Sequence, residues 1–279
     1  MRSRLTGACV VTAAVVALVP TAASARPADG HAAAKPKITL SGSTSVAPLA
    51  SKLIKGYLKK FPGAATFTLA QGGSDVGVAD VAAGRVSIGN SSRDAKPSDP
   101  GGLHFWKIAR DALCLATHNS NTLGDVSQAQ VQDIFSGKIR DWSNVPGATA
   151  SGPIDLIVRT QASGTQDAFQ KLFMGDVKVS STAAQKASNG LVKSAVASDP
   201  QAIGYLSYAF TTGLNDTSYQ GVACNLRTAK AGQYPGSRNF WMITRGAPAK
   251  GSAVYKFIKW VQVNANAQKI ISSEWVPLK

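Results

Sequence analysis

Glutamate is almost missing from this chain: Glu274 is the only one among 15 acidic residues. Histidine is nearly as scarce, with His31, His104 and His118 alone. Both shortages disfavour hydrolysis by paired glutamates and metal centres rich in histidine. The three cysteines, Cys9, Cys114 and Cys224, show no Cys-x-x-Cys spacing, so neither a zinc ribbon nor a thioredoxin-like motif is written here. No apolar run reaches the ~20 residues that a membrane-spanning helix needs. Against the few acids stand 30 lysines and arginines, giving a formal charge of +15 on 279 residues. These bases are scattered rather than clustered with aromatics, which reads as solvated surface and not as a nucleic-acid interface. A hydrophobic content of 44% is that of a globular chain, long enough for one large domain or two smaller ones.

The amino terminus has the grammar of an export signal. Arg2 and Arg4 form a basic start, Ala8 to Pro20 an apolar stretch, and Ala23-Ser24-Ala25 a small-x-small cleavage site. Residues 1–25 are therefore expected to be removed, and 26–37 to form a flexible leader. Cys9 has too short an apolar segment before it for lipid attachment, so secretion without a lipid anchor is expected, to the periplasm or the exterior. Cys114 and Cys224 would then meet an oxidising compartment.

Three segments share one pattern, a short strand running through a hydroxyl-rich turn into a helix. Ile38-Thr39-Leu40 leads through Ser41-Gly42-Ser43-Thr44-Ser45 to apolar residues at helical spacing: Val46, Leu49, Leu53, Ile54, Tyr57 and Phe61. Thr44 or Ser45 suits the N-cap and Pro48 the first turn. Thr66 to Leu69 leads through Gln71-Gly72-Gly73-Ser74 to a helix over 75–83, stopped by Gly84. Asp155 to Val158 leads through Arg159 to Thr165 into a helix over 166–174. Such helix starts present unpaired N–H groups and a positive dipole end, which suit a tetrahedral anion. Arg159 adds a guanidinium fork for an oxyanion. A fourth candidate turn is Asn90-Ser91-Ser92-Arg93-Asp94.

These motifs, in this order, resemble those of extracytoplasmic phosphate-binding proteins of phosphate ABC transporters, in the type 2 periplasmic-binding-protein-like family. The resemblance rests on Gly42-Ser43-Thr44-Ser45-Val46-Ala47-Pro48, Gly72-Gly73-Ser74-x-x-Gly77, Ile88-Gly89-Asn90-Ser91-Ser92-Arg93 and Arg159-x-x-x-Ser163-Gly164-Thr165. Further matches are Asp133 to Trp142, Ile203-Gly204-Tyr205 and Tyr234-Pro235-Gly236-Ser237-Arg238. It implies a two-domain α/β fold, with two crossing strands as a hinge and the ligand cleft between the domains. The boundaries expected are 38–112 with 228–279 for domain one, and 113–227 for domain two, with crossings near 113–117 and 223–229. Cys114 and Cys224 would lie close to those crossings, as a disulfide or as two buried thiols.

Carried onto this chain, the resemblance implies phosphate ligands at Thr44, Ser45, Ser74, Ser92, Arg93, Arg159, Ser163, Gly164 and Thr165. It also implies an ABC-transporter permease as partner, a monomeric receptor, and no cofactor, metal or catalytic residue. Two positions depart from better-known members: Ser45 stands where they carry a bulky aromatic, and Ser92 where they carry a carboxylate. Asp94 is expected to pair with Arg93, which leaves sulfate discrimination weaker than a carboxylate at position 92 would give. The alternatives are a secreted phosphatase and a receptor for another tetrahedral oxyanion. For the former, Ser163 would need a base such as His104 or His118, and no Gly-x-Ser-x-Gly elbow is present.

Overall fold

The computed structural model describes Gly7 and residues 34–278; the expected signal peptide and most of the leader lie outside them. Of the expected leader, Lys37 already belongs to the first strand. Chain order runs β1 (Lys37–Gly42), α1 (Ala47–Lys60), β2 (Thr66–Leu69), α2 (Ser74–Ala82), β3 (Ile88–Ser91) and β4 (Leu103–Thr117). Then come β5 (Asp125–Val126), α3 (Gln128–Phe135), β6 (Asp155–Arg159), α4 (Gly164–Phe169), β7 (Ala184–Lys186), α5 (Asn189–Ala197), β8 (Ala202–Ser207) and β9 (Asn215–Tyr219). The chain closes with α6 (Leu226–Lys230), β10 (Ser237–Arg245), α7 (Ala253–Val263) and α8 (Ala265–Glu274).

The strands follow the order β2-β1-β3-β10-β4-β8-β6-β7, with β9 also on β4 and β5 on β9. The long strand β4 joins two lobes. Its residues 103–112 pair with β10, and 113–117 with β8 and β9. In lobe one, parallel β2, β1 and β3 meet antiparallel β10. The helices α1, α7 and α8 cover one face, burying Leu49, Leu53, Phe257, Val261 and Ile271, and α2 covers the other through Val78 and Val81. In lobe two, β4, β8, β6 and β7 carry one core against α3 and α4, around Ile134, Phe135, Phe169 and Tyr205. A second, against α5, holds Val192 and Val196. Each lobe is thus a sheet between two helical layers, the arrangement that parallel strands require. The apolar stripe of α1, at spacings of three and four, is what docks it.

The return to lobe one is made at Ser237, which pairs with Ala112. Just before it, Leu113 N–H donates to Gly236 O and the Tyr234 hydroxyl to Leu113 O. Cys114 and Cys224 are joined by a disulfide beside the crossing strand, with Cα atoms 5.6 Å apart. Trp142 and Trp275 are core residues.

Candidate functional site

The strand-to-helix turns converge between the lobes. At the first, Gly42 has φ +125°, and a Cβ there would sit 2.3 Å from Asn90 O, so only glycine serves. The expected N-cap role of Thr44 or Ser45 is corrected: the hydroxyl that caps this turn is that of Ser43, accepting from the Ser45 and Val46 N–H groups at 3.2 and 3.4 Å. Thr44 and Ser45 instead face lobe two. Asn189 Nδ2, at the start of α5, donates to Thr44 Oγ1 at 3.0 Å and to Ser45 Oγ at 2.8 Å. Arg238 Nη2 also donates to Ser45 Oγ, at 2.9 Å. With both lone pairs of Ser45 occupied, its proton goes to Thr165 Oγ1 at 2.9 Å. The proton of Thr165 then remains for another acceptor.

The other turns complete the floor. Ser74 Oγ accepts from Ser92 N–H at 3.0 Å and lies 3.3 Å from Ser92 Oγ, which also accepts from Ser43 Oγ at 3.0 Å. Ser163 caps α4 by accepting from Thr165 N–H at 3.1 Å. The lobes meet closely here: a Cβ on Gly164 would fall 2.3 Å from Ser74 Oγ, and Asp75 N–H donates to Ala162 O at 3.1 Å. Of the nine expected positions, Thr44, Ser45, Ser74, Ser92, Arg159, Ser163, Gly164 and Thr165 are brought together and buried.

Arg159, at the end of β6, donates Nε and Nη2 to the carbonyls of Lys186 and Ala187, at 3.0 and 2.9 Å. Its Nη1 is buried without a protein partner. Burial pulls this guanidinium down to about 10; nearby Tyr205 opposes that, and Arg238 adds to it by repulsion. Arg238, on β10, binds Asp111 Oδ2 through Nε and Nη2 at 3.0 and 2.9 Å, and its Nη1 is also buried and unpartnered. Burial drives the Asp111 carboxyl up and the Arg238 guanidinium down, and their contact opposes both. Ser207 Oγ donates to the other Asp111 oxygen at 2.8 Å. Two guanidinium groups thus face one carboxylate, leaving a positive charge uncompensated in a buried, hydroxyl-lined cleft.

Arg93 needs correcting. Its guanidinium was expected to bind ligand or to pair with Asp94; it does not pair with the Asp94 carboxylate, and its donors are taken up by other acids. It grips Asp99 through Nη1 and Nη2 at 2.8 and 2.7 Å, and Asp75 through Nε at 2.7 Å. Toward Asp94 it reaches only the backbone carbonyl, at 2.9 Å. The Asp94 carboxylate instead accepts from Asn239 Nδ2 and Trp241 Nε1 at 3.0 and 3.1 Å. Across the cleft, Asp167 of α4 reaches Lys96 at 2.6 Å and Arg93 at 3.3 Å, beside a cavity of about 480 Å³.

Asn189, Arg238 and Asp111 were not singled out as site residues from the sequence. Asn189 had a visible signal, since Ser188-Asn189-Gly190 is one more hydroxyl-capped helix start, with Ser188 Oγ accepting from Leu191 N–H. Arg238 ends the Tyr234–Arg238 match but was given no ligand role, and Asp111 lies inside a strand with no local pattern; burial, at 6% and 1% exposure, marks them.

A two-lobed α/β fold with a hinge strand and a cationic, hydroxyl-lined cleft is the architecture of solute-binding receptors. Residues 27–264 match the PBP superfamily domain, and the chain belongs to that family. It is 29% identical over 213 residues to the phosphate-binding protein PstS of Bacillus subtilis, covering 75% of this chain and 70% of that one. Among solved structures, it is similar to a protein of Clostridium perfringens described as a phosphate ABC transporter substrate-binding protein with bound phosphate. The TM-score is 0.81 and the identity 28%, over 87% of this chain and 100% of that one. An ABC-type phosphate transport receptor from Vibrio cholerae aligns with a TM-score of 0.69 at 25% identity, covering 86% and 99%.

Proposed function

We propose that this protein captures inorganic phosphate between its lobes and delivers it to the permease of an ABC transporter, acting as a monomer and without catalysis. One observation carries the reading: Arg159 and Arg238 each keep a buried Nη1 without a partner, and of the two only Arg238 is paired with a carboxylate, that of Asp111. Such a pair repels itself until an anion lies against it. Thr165, Ser92 and the helix starts at Ser74 and Gly164 supply the donors that replace the water around a phosphate. The lobes of this proposal are 38–112 with 228–279, and 113–227, with 228–236 as the second crossing, packed through Ala229 and Tyr234 on the lobe-two core until Ser237 pairs with Ala112. Arg93 contributes its place in the turn rather than its guanidinium.

The same reading places the protein outside the cytoplasmic membrane, released by cleavage after Ala25 and not lipid-anchored. Among the described residues, no helix is long and apolar enough to cross a membrane. Calorimetric titration with phosphate is the test. Saturable binding at one site, abolished or greatly weakened in Arg159→Ala, is expected. Unchanged binding in that variant would refute the site, and turnover of a phosphate monoester by the purified protein would refute the absence of catalysis.

A further inference from the structure

Charge is divided between the lobes in a way the cleft does not require. Residues 113–227 hold eight basic and eight acidic side chains, whereas 35–112 and 228–279 hold nineteen basic and six acidic. Much of the excess lies on one layer of lobe one: α1, α7 and α8 carry seven lysines, no arginine and a single acid, Glu274. Six of these lysines, Lys52, Lys55, Lys59, Lys60, Lys256 and Lys269, are exposed. Among the described residues only Lys52 has an ion-pair partner, Glu274.

We propose that the α1–α7–α8 face of lobe one docks on an anionic phospholipid bilayer. A lysine array with almost no acids works against the fold, since Lys55 and Lys59 lie one turn apart and repel. An external counter-charge relieves that repulsion. Lysine ammonium groups on flexible stems suit a mobile field of headgroups, whereas fixed bidentate recognition of an anion would use arginine. Two exposed apolar side chains favour a bilayer over a soluble polymer. Phe61, just after α1, is 39% exposed with Lys60 Nζ 5.8 Å from its ring centre, and Val263, ending α7, is 74% exposed. Apolar tips among lysines are what an interfacial contact buries at headgroup depth. The cleft stays clear of this contact, because α1 begins at the Thr44–Ser45 turn and carries Lys59 and Lys60 in its last turn, about 20 Å along its axis.

Co-sedimentation of the full mature chain with phosphatidylcholine vesicles, with and without about 30% phosphatidylglycerol, tests the proposal. Binding is expected only to the anionic vesicles, and should be lost at about 0.5 M salt. Two variants of equal net charge then locate the face. Lys55→Glu with Lys59→Glu and Lys256→Glu should lower partitioning at least tenfold, while Lys138→Glu with Lys178→Glu and Lys193→Glu in lobe two should leave it within about twofold. Unchanged phosphate titration certifies that each variant is folded. Should the first reversal not fold, Lys59→Gln with Lys256→Gln must give the same ordering. Equal losses in both triple variants would overturn the proposal, because net charge alone would then account for binding. So would retention on a soluble polyanion such as heparin without any binding to anionic vesicles.

Discussion

Two neighbouring regions of the cleft use buried arginine in opposite ways. At the rim, Arg93 is surrounded by Asp99, Asp75 and Asp167, so its donors are satisfied within the protein. On the floor, Arg159 is held by two carbonyls and Arg238 by one aspartate, and each keeps a nitrogen without a partner. Equal burial therefore produces a structural tie in one place and a demand for an anion in the other. What separates them is the local supply of carboxylates, not the arginine.

The sharpest way to break this comparison is to remove the two arginines in turn. Arg159→Ala should lose about 3–5 kcal/mol of phosphate affinity by calorimetry, the magnitude of a broken buried charge contact. Arg93→Ala instead removes the shared partner of three carboxylates, of which Asp99 is the most buried and Asp167 keeps Lys96. The variant should lower urea-unfolding stability by about 2–4 kcal/mol while phosphate affinity in the folded fraction falls less than tenfold. If both variants lose phosphate equally, the distinction between rim and floor fails.

A half-buried acid, Asp216, provides a control on burial itself. Asp216 is pushed up to about 6 by desolvation, with one oxygen accepting from Thr211 Oγ1 at 2.8 Å and the other unpartnered. Its folded value lies above the usual 3.8, so the wild type has its full share of stability below about pH 4 and loses it as pH rises through 6. Asp216→Asn should be more stable by about 2 kcal/mol at pH 7, the gain vanishing near pH 4 in paired urea titrations. A constant difference across that range would contradict the assignment.

Smaller effects sharpen the floor. Thr165→Ala removes one hydroxyl whose proton is free and should weaken phosphate by roughly 1–3 kcal/mol in the same calorimetry. Sulfate should compete measurably. Asp111 is engaged by Arg238 and Ser207, and Asp94 by Asn239 and Trp241, so the proposed site leaves the hydroxyl of Ser92, rather than a carboxylate, for the proton of phosphate. Complete indifference to a thousand-fold excess of sulfate at constant ionic strength would show that a carboxylate does reach the ligand.

Much of this was legible because it is local. Strand, turn and helix at 38–61, 66–84 and 155–174 follow from β-branched residues, glycines and hydroxyls in fixed order, and the turns gather as the resemblance implied. The fate of Arg93 was not legible. It depends on Asp99 six residues away and on Asp75 and Asp167 from two different helices, so proximity in sequence to Asp94 was misleading. The roles of Arg238 and Asp111 escaped for the same reason, although Arg238 stood in a matched motif: a strand hides which of its polar residues will be enclosed until the second lobe is folded against it. The N-cap was read too early: α1 starts after Val46, which has no capping side chain, and the Ser43 hydroxyl takes the Ser45 and Val46 N–H groups of the turn before it.

The disulfide has a mechanical consequence. Cys114 lies just past the crossing from lobe one, and Cys224 lies 110 residues later, shortly before the return, so the bond turns nearly all of lobe two into a closed ring. A chain drawn out by its two ends could unravel lobe one, whose pieces lie on either side of the ring, but the tension would pass through the sulfurs and bypass lobe two. About 370 Å of contour length would stay folded away until a reductant opened the bond.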